Sequence, residues 1–186
     1  KPNGDDYDIY SDGLKIYTTI DSKIQLYAEE AVKAHMKNMQ EEFFIQQRGN
    51  SNAPFLKITD TETQRILNQA MKNSERWRVL KELGKSDDEI KASFKVKTKM
   101  RVFTWDGERD TIMKPIDSIR YYKSFLQAGL MSMEPQTGHV KAWVGGINYK
   151  YFQYDHVGQG ARQVGSTFKP FVYATAIEQL NMSPCD

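Results

Sequence analysis

Hydrophobic residues recur along this chain with two different periods, which separate helical segments from strands. Between residues 22 and 48, apolar side chains return every three or four positions, as on one side of a helix. Asp21 or Ser22, together with Gln25, has the pattern of a capping box at a helix start. The pattern predicts one long amphipathic helix that ends before Gly49.

The residues before this helix alternate between apolar and polar types. Residues 14–20 place every second side chain on one face and are rich in β-branched and aromatic types, so they predict a strand. Residues 1–13 are polar and contain proline and glycine, which is typical of a linker.

A helical block occupies residues 46–94. Its segment 61–83 has helical periodicity that is interrupted at residues 73–74. Ser86 and Glu89 form a second capping-box pattern, which predicts a short helix to the end of the block. We interpret this block as a helical insertion.

Strand patterns follow from residue 95. Residues 95–104 alternate, with four basic side chains on one face, and Asp106 and Gly107 then turn the chain into a hairpin. Pro115 suits the first turn of the next helix.

A second hairpin comes closer to the end of the chain. Residues 127–134 and 139–144 predict two strands joined by the turn Pro135–Gly138. A polar loop then leads to Pro170, which has no N–H and is tolerated only in the first turn of a helix. The last helix is therefore predicted to begin close to Ser166.

Composition limits the class of protein. The chain has 186 residues, of which 39% are hydrophobic and 27% charged, a balance typical of one folded domain or of a domain with a small satellite. A net charge of +2 argues against nucleic acid as the partner. The single cysteine, Cys185, excludes an intramolecular disulfide, and no apolar run is long enough to span a membrane.

Ser166 and Lys169 form the pattern S-x-x-K at the predicted helix start. Side chains three residues apart on a helix have β-carbons about 5–6 Å apart, so the lysine amine can reach the serine hydroxyl. A neutral lysine can remove the hydroxyl proton, and the free N–H groups of the helix start favour the oxyanion formed when serine attacks a carbonyl. The pattern alone is weak, since 11 serines and 18 lysines give about one S-x-x-K by chance.

The sequence around this pattern resembles that of class A penicillin-binding proteins. The similarity is carried by QVGSTFKPF at Gln163–Phe171, EPQTG at Glu134–Gly138, VKAWVGG at Val140–Gly146 and DGLKIYTTID at Asp12–Asp21. Only residues 46–94 have no family pattern that we can name.

This resemblance implies an α+β fold, the N-terminal portion of a penicillin-binding or serine β-lactamase-like transpeptidase domain with a helical insertion. It implies a linker at 1–13, then a pedestal-like region at 14–126 with strand, long helix, insertion and hairpin. The first part of the transpeptidase domain would occupy 127–186. Ser166 would be the acylated nucleophile and Lys169 its proton acceptor.

The resemblance also implies a D,D-transpeptidase that cross-links peptidoglycan stem peptides ending in D-Ala-D-Ala and that β-lactams acylate. It implies no cofactor and no metal. The longer protein would be an envelope enzyme on the periplasmic side of the inner membrane. It would have a single-pass anchor outside this chain, a glycosyltransferase domain and envelope protein partners.

Two motifs that complete such sites, S-x-N and K-T/S-G, do not occur in this sequence. We therefore expect a fragment that is inactive alone. Three alternatives stay open: a D,D-carboxypeptidase, a serine β-lactamase and a non-catalytic penicillin-sensing module.

Other reactive or aromatic residues are interpreted as structural. The three histidines have no metal-ligand spacing, the basic face of residues 95–101 is typical of a solvated strand, and the three tryptophans are expected in the core or at an interface. Asp155 and His156, which precede the nucleophile, are expected to line the cleft or to anchor the loop.

Overall fold

The computed structural model describes residues 4–50 and 52–183. Its elements are α1 (Ser22–Gln46), α2 (Asp60–Lys72), α3 (Glu75–Glu82), α4 (Asp87–Ser93), β1 (Thr98–Thr104), β2 (Gly107–Met113), α5 (Pro115–Lys123), β3 (Leu130–Met133), β4 (Val140–Val144), a 3-10 turn (Gly165–Phe168) and α6 (Lys169–Leu180). The strands form two separate antiparallel pairs, β1–β2 and β3–β4. This mixture of helices and small sheets is compatible with the predicted α+β class.

The long helix α1 is confirmed, and it packs on the second hairpin. Its N-cap is Asp21, whose carboxylate accepts hydrogen bonds from the backbone N–H groups of Lys23 and Ile24. Its buried face repeats every four residues and packs against Ala142 and Val144 of β4. The residues of that face are Ala28, Val32, Met36 and Gln40.

Two glutamines of α1 bind backbone groups of other segments. Gln25 donates from Nε2 to the carbonyl of Trp143 (3.1 Å) and accepts from the N–H of Trp143 (2.8 Å), so its amide satisfies the outer edge of β4. The fully buried Gln40 donates to the carbonyl of Ser124 (2.9 Å) and accepts from the N–H of Leu126 (2.8 Å). Gln25 therefore bonds to Trp143 instead of forming the predicted capping box.

The helical block has a core of its own. Ser74 caps α3, and the predicted capping box of Ser86 and Glu89 is formed at the start of α4. The core packs against α5 through Ile116 and Ile119. Its buried residues are Met71, Trp77, Ile90 and Phe94. The block is therefore integrated with α5.

The β1–β2 hairpin is confirmed, with a shorter first strand than predicted. Val102 and Phe103 are adjacent in β1 and both are buried, so each side of this strand is covered near its end. The Phe103 ring lies 5.2–5.8 Å, between ring centroids, from four aromatic side chains of the hairpin, the α5–β3 linker and the loop after β4. They are Trp105, Phe125, Tyr151 and Phe152.

The strand predicted at residues 14–20 is wrong. These residues are exposed and are not paired with a strand. Their hydrogen bonds to β4 occur only at Thr19 and Asp21, where the segment meets α1. Thr19 donates from its hydroxyl to the carbonyl of Val140 (2.7 Å), and the N–H of Asp21 donates to the carbonyl of Lys141 (2.9 Å). Residues 4–13 form turns without helix or strand, and Cys185 lies outside the described residues.

Candidate functional site

The segment that carries the S-x-x-K pattern begins a helix, as predicted. Gly165 has a φ of +51°, in the left-handed region that glycine adopts readily, and it opens the 3-10 turn. The turn continues into the 12 residues of α6, with Pro170 in the first turn of the helix.

Ser166 and Lys169 lie on this turn and both are exposed. The backbone N–H of Lys169 donates to the carbonyl of Ser166, which places the two residues one helical turn apart. Within residues 4–50 and 52–183, no hydrogen bond joins the Ser166 hydroxyl to the Lys169 amine. Among the described residues, the two side chains are therefore exposed neighbours that are not hydrogen-bonded to each other.

Helix α6 is apolar and uncovered. None of its described residues is buried, and its main packing partner among the described helices and strands is its own 3-10 turn. Several large apolar side chains of the turn and helix are about half exposed or more: Phe168, Phe171, Val172, Tyr173, Ile177 and Leu180. So many exposed apolar side chains on one short helix are typical of an interface.

Asp155 anchors the loop after β4. Its carboxylate accepts hydrogen bonds from the indole N–H of Trp143 (3.1 Å) and from the backbone N–H groups of Val157 (2.9 Å) and Gly158 (3.0 Å). The bond from Gly158, followed by those from Val157 and Trp143, lowers the pKa of Asp155 below its usual value. A β-carbon at Gly145 would lie 2.8 Å from the Asp155 carboxylate, so the loop is closely packed here.

The histidines have no shared site. His156 packs edge-on against Tyr154, with ring centroids 4.9 Å apart, and its backbone N–H donates to the carbonyl of Gly145. His35 is exposed on α1, and His139 is exposed just before β4. The part of the chain that the structure describes holds no group of histidine, cysteine or carboxylate side chains that could bind a metal.

The basic side chains of residues 95–101 are solvated, as expected. Lys95, Lys97 and Lys99 are exposed, and Arg101 donates from Nε to Asp110 of β2 (2.9 Å). The tryptophans differ: Trp77 is buried in the helical core, Trp105 packs beside α1, and Trp143 remains 38% exposed.

A cleft of about 500 Å³ separates α1 from the end of β4 and the loop that follows. The residues that line it include Glu29 and Lys33 of α1 and the aromatic residues Trp143, Tyr149 and Tyr154. Sequence analysis did not predict this cleft, because the helix and the loop are more than 100 residues apart in the chain. Tyr149 and Tyr154, which follow the double glycine Gly145–Gly146, are the part of this lining that lies close together in the sequence.

The comparisons with known proteins agree on one family. A family model described as "Penicillin-binding protein middle domain" matches residues 50–126, a range that includes α2 to α4, the β1–β2 hairpin and α5. No helix within the described ranges combines the length and the apolar character needed to cross a membrane. No solved structure matches the chain.

Curated relatives align with most of the chain. Proteins named penicillin-binding protein 1A are similar to it from Neisseria flavescens (25% identical, covering 91% of this chain and 24% of the relative) and from Rickettsia bellii (27%, 92% and 23%). A third, from Aquifex aeolicus, is 27% identical over 90% of this chain and 23% of its own length. The chain thus spans about a quarter of the length of these relatives.

Proposed function

This chain belongs to the class A penicillin-binding proteins, and from this we propose its function. We propose that it carries the nucleophile of a D,D-transpeptidase, an enzyme that cross-links the stem peptides of peptidoglycan. The observation that carries the proposal is the S-x-x-K pattern on the turn that opens α6. Ser166 and Lys169 lie one helical turn apart there, and both are accessible to a substrate.

In the proposed reaction, the Lys169 amine accepts the hydroxyl proton as Ser166 Oγ attacks the carbonyl carbon of the penultimate D-alanine. Backbone N–H groups near the helix start favour the tetrahedral oxyanion. The C–N bond breaks, the terminal D-alanine leaves with a proton on its amine, and an ester to Ser166 remains. An amine of a neighbouring stem peptide then attacks the ester, forms the new amide and restores the serine hydroxyl. A β-lactam would stop the sequence at the ester.

The exposed apolar side chains of α6 support a site that is completed by other segments of the longer protein. We propose that segments bearing the S-x-N and K-T/S-G motifs of the longer protein pack on this face and enclose Ser166, forming a serine β-lactamase-like transpeptidase fold.

The proposed organisation is a linker at 1–13, a pedestal-like region at 14–126 and the first part of the transpeptidase domain at 127–186. Packing crosses this division. Helix α1 shares a core with β3 and β4, whereas α2 to α4 share theirs with α5. The long helix therefore packs with the second hairpin, across the proposed boundary between residues 126 and 127.

Product analysis on the longer protein tests this function against its rivals. A donor peptide ending in D-Ala-D-Ala, an amine acceptor and, separately, penicillin would be followed by mass spectrometry. We expect cross-linked product with release of one D-alanine, and loss of both in the Lys169→Ala variant but not in Lys23→Ala. D-alanine release without cross-linking would instead identify a carboxypeptidase, rapid penicillin hydrolysis a β-lactamase, and a penicillin adduct without turnover of the donor a sensing module.

A further inference from the structure

We propose that one face of the β1–β2 hairpin binds the surface of a lipid bilayer that carries anionic headgroups. This surface, which we call the hairpin face, consists of exposed side chains in and beside the two strands. They are Lys97, Lys99 and Arg101 before and in β1, and Asp110, Ile112 and Lys114 in and after β2.

The pairing of the two strands puts these side chains on one face. Lys99 lies directly opposite Ile112 in the antiparallel register, and residues opposite each other share a face of the sheet. Lys97 comes two residues before Lys99, and Lys114 two residues after Ile112, so strand alternation continues the same face. The side chains that alternate with them are half-buried: Thr98, Met100, Thr111 and Met113.

Positive charge dominates the hairpin face. Arg101 pairs with Asp110, to which its Nε donates at 2.9 Å. The three lysines of the face form no ion pair within residues 4–50 and 52–183. Since the net charge of the whole chain is only +2, three unpaired positive charges on one small face are an asymmetric distribution. An anionic surface complements such a face, and each lysine close to it strengthens binding about 5-fold.

An exposed apolar side chain among these lysines favours a bilayer over a soluble polyanion. Ile112 is 61% exposed, and it lies across from Lys99. The headgroup region of a bilayer offers phosphates to lysine amines and, just below them, acyl chains to an apolar side chain. A nucleic acid carries its phosphates on the outside and would leave Ile112 in water. The hairpin face is also shallow and open, which suits an extended surface.

Co-sedimentation of this chain with phospholipid vesicles tests the inference. Vesicles of phosphatidylglycerol and phosphatidylcholine in equal amounts are compared with vesicles of phosphatidylcholine alone. We expect binding to be at least ~10-fold stronger for the anionic vesicles and to weaken as salt is added. The triple variant Lys97→Gln, Lys99→Gln and Lys114→Gln should bind the anionic vesicles at least ~10-fold more weakly, and Ile112→Ser at least ~3-fold more weakly.

A matched triple variant controls for the loss of net charge. It carries Lys15→Gln, Lys23→Gln and Lys72→Gln, which remove three exposed lysines from segments outside the hairpin. This variant should bind within about 2-fold of the unaltered chain, because charges more than a Debye length from the bilayer are screened. All the altered side chains are exposed, so the variants should fold, which circular dichroism checks.

Four results would overturn the inference. Absence of binding to anionic vesicles would remove the membrane as the partner. Equal binding to both kinds of vesicle would point to the exposed apolar side chains of α6 instead. Equal losses in the two triple variants would reduce the effect to net charge. Unchanged binding of Ile112→Ser, together with tight binding of the unaltered chain to polyglutamate, would identify a soluble polyanion. None of these measurements involves Ser166, so this proposal and acyl transfer can fail separately.

Discussion

At the scale of single residues, Gln40 shows how a polar side chain can stabilise a core. It is fully buried, yet both ends of its amide are satisfied by backbone groups on either side of Phe125. The linker between α5 and β3 has no partner strand at this point, and Gln40 satisfies its backbone groups. A buried amide in this position fixes α1 relative to the helical core through α5.

Gln40→Ala should lower the free energy of unfolding by about 1–3 kcal/mol, because it leaves the partly buried N–H of Leu126 and the partly buried carbonyl of Ser124 without partners. Urea unfolding followed by circular dichroism measures the loss. Gln64→Ala, at an exposed position of α2, makes the same chemical change and should cost less than about 0.5 kcal/mol. Equal losses in the two variants would refute the role given to Gln40.

At the scale of elements, local signals predicted most helices and both hairpins. The capping box of Ser86 and Glu89, the proline at the start of α5 and the turn before β4 depend only on neighbouring residues, and the structure forms all three. The strand at 14–20 failed because a strand needs a partner, which alternation alone does not specify. Burial of Phe103 and the contacts of Gln25 likewise depend on residues distant in sequence.

The same limit applies to the candidate site. The sequence placed Ser166 and Lys169 at a helix start, and the structure has a helix beginning there. Whether their side chains come into contact depends on neighbours packed around α6, which the local pattern does not contain. Their catalytic roles therefore stay a proposal.

Acid should remove the contribution of Glu89 to the start of α4. Hydrogen bonds, first from the backbone N–H of Ser86 and then from the Lys85 and Ser86 side chains, lower the pKa of Glu89 to about 2 from a usual value of 4.5. Because the folded-state pKa is the lower one, this contribution is complete above about pH 4.5 and disappears as the pH falls toward about 2.

The difference in unfolding free energy between the unaltered chain and Glu89→Gln should therefore be constant from pH 7 to 5.5 and shrink below pH 4.5. Urea unfolding at each pH measures it. The Gln64→Ala difference, which involves no titrating group, should stay constant across the series. A Glu89→Gln difference that also stays constant down to pH 3 would contradict the capping account.

Helix α6 should be the least protected helix of this chain. It has 12 residues, none of them buried, and isolated helices of this length are only marginally stable in water. Hydrogen exchange should be at least ~100-fold faster for its amides than for those around Met36 in α1. Similar protection in the two helices would mean that α6 is covered in solution.

At the scale of the whole molecule, α1 connects two cores that the order of the chain separates. It packs on β3 and β4, reaches the α5–β3 linker through Gln40, and pairs through Lys37 with Asp106 at the tip of the first hairpin (2.5 Å). Aromatic packing around Phe103 adds a second link between the range matched to the middle domain and the loop that leads toward Ser166. The 3-10 turn that carries Ser166 lies outside both cores.

The chain of 186 residues should not be acylated by penicillin at a useful rate, because Ser166 and Lys169 are exposed and the sequence lacks S-x-N and K-T/S-G. Intact mass after hours with fluorescent penicillin checks this, with the longer protein as the positive control. Stoichiometric labelling of this chain that Ser166→Ala abolishes would show that the site needs no further walls.

Covalent labelling of the longer protein by penicillin, followed by peptide mapping, tests the central claim most directly. The account predicts one adduct, on the peptide that contains Ser166, that is absent from Ser166→Ala and unchanged in Ser11→Ala. An adduct that persists in Ser166→Ala, or that maps to another serine, would contradict it.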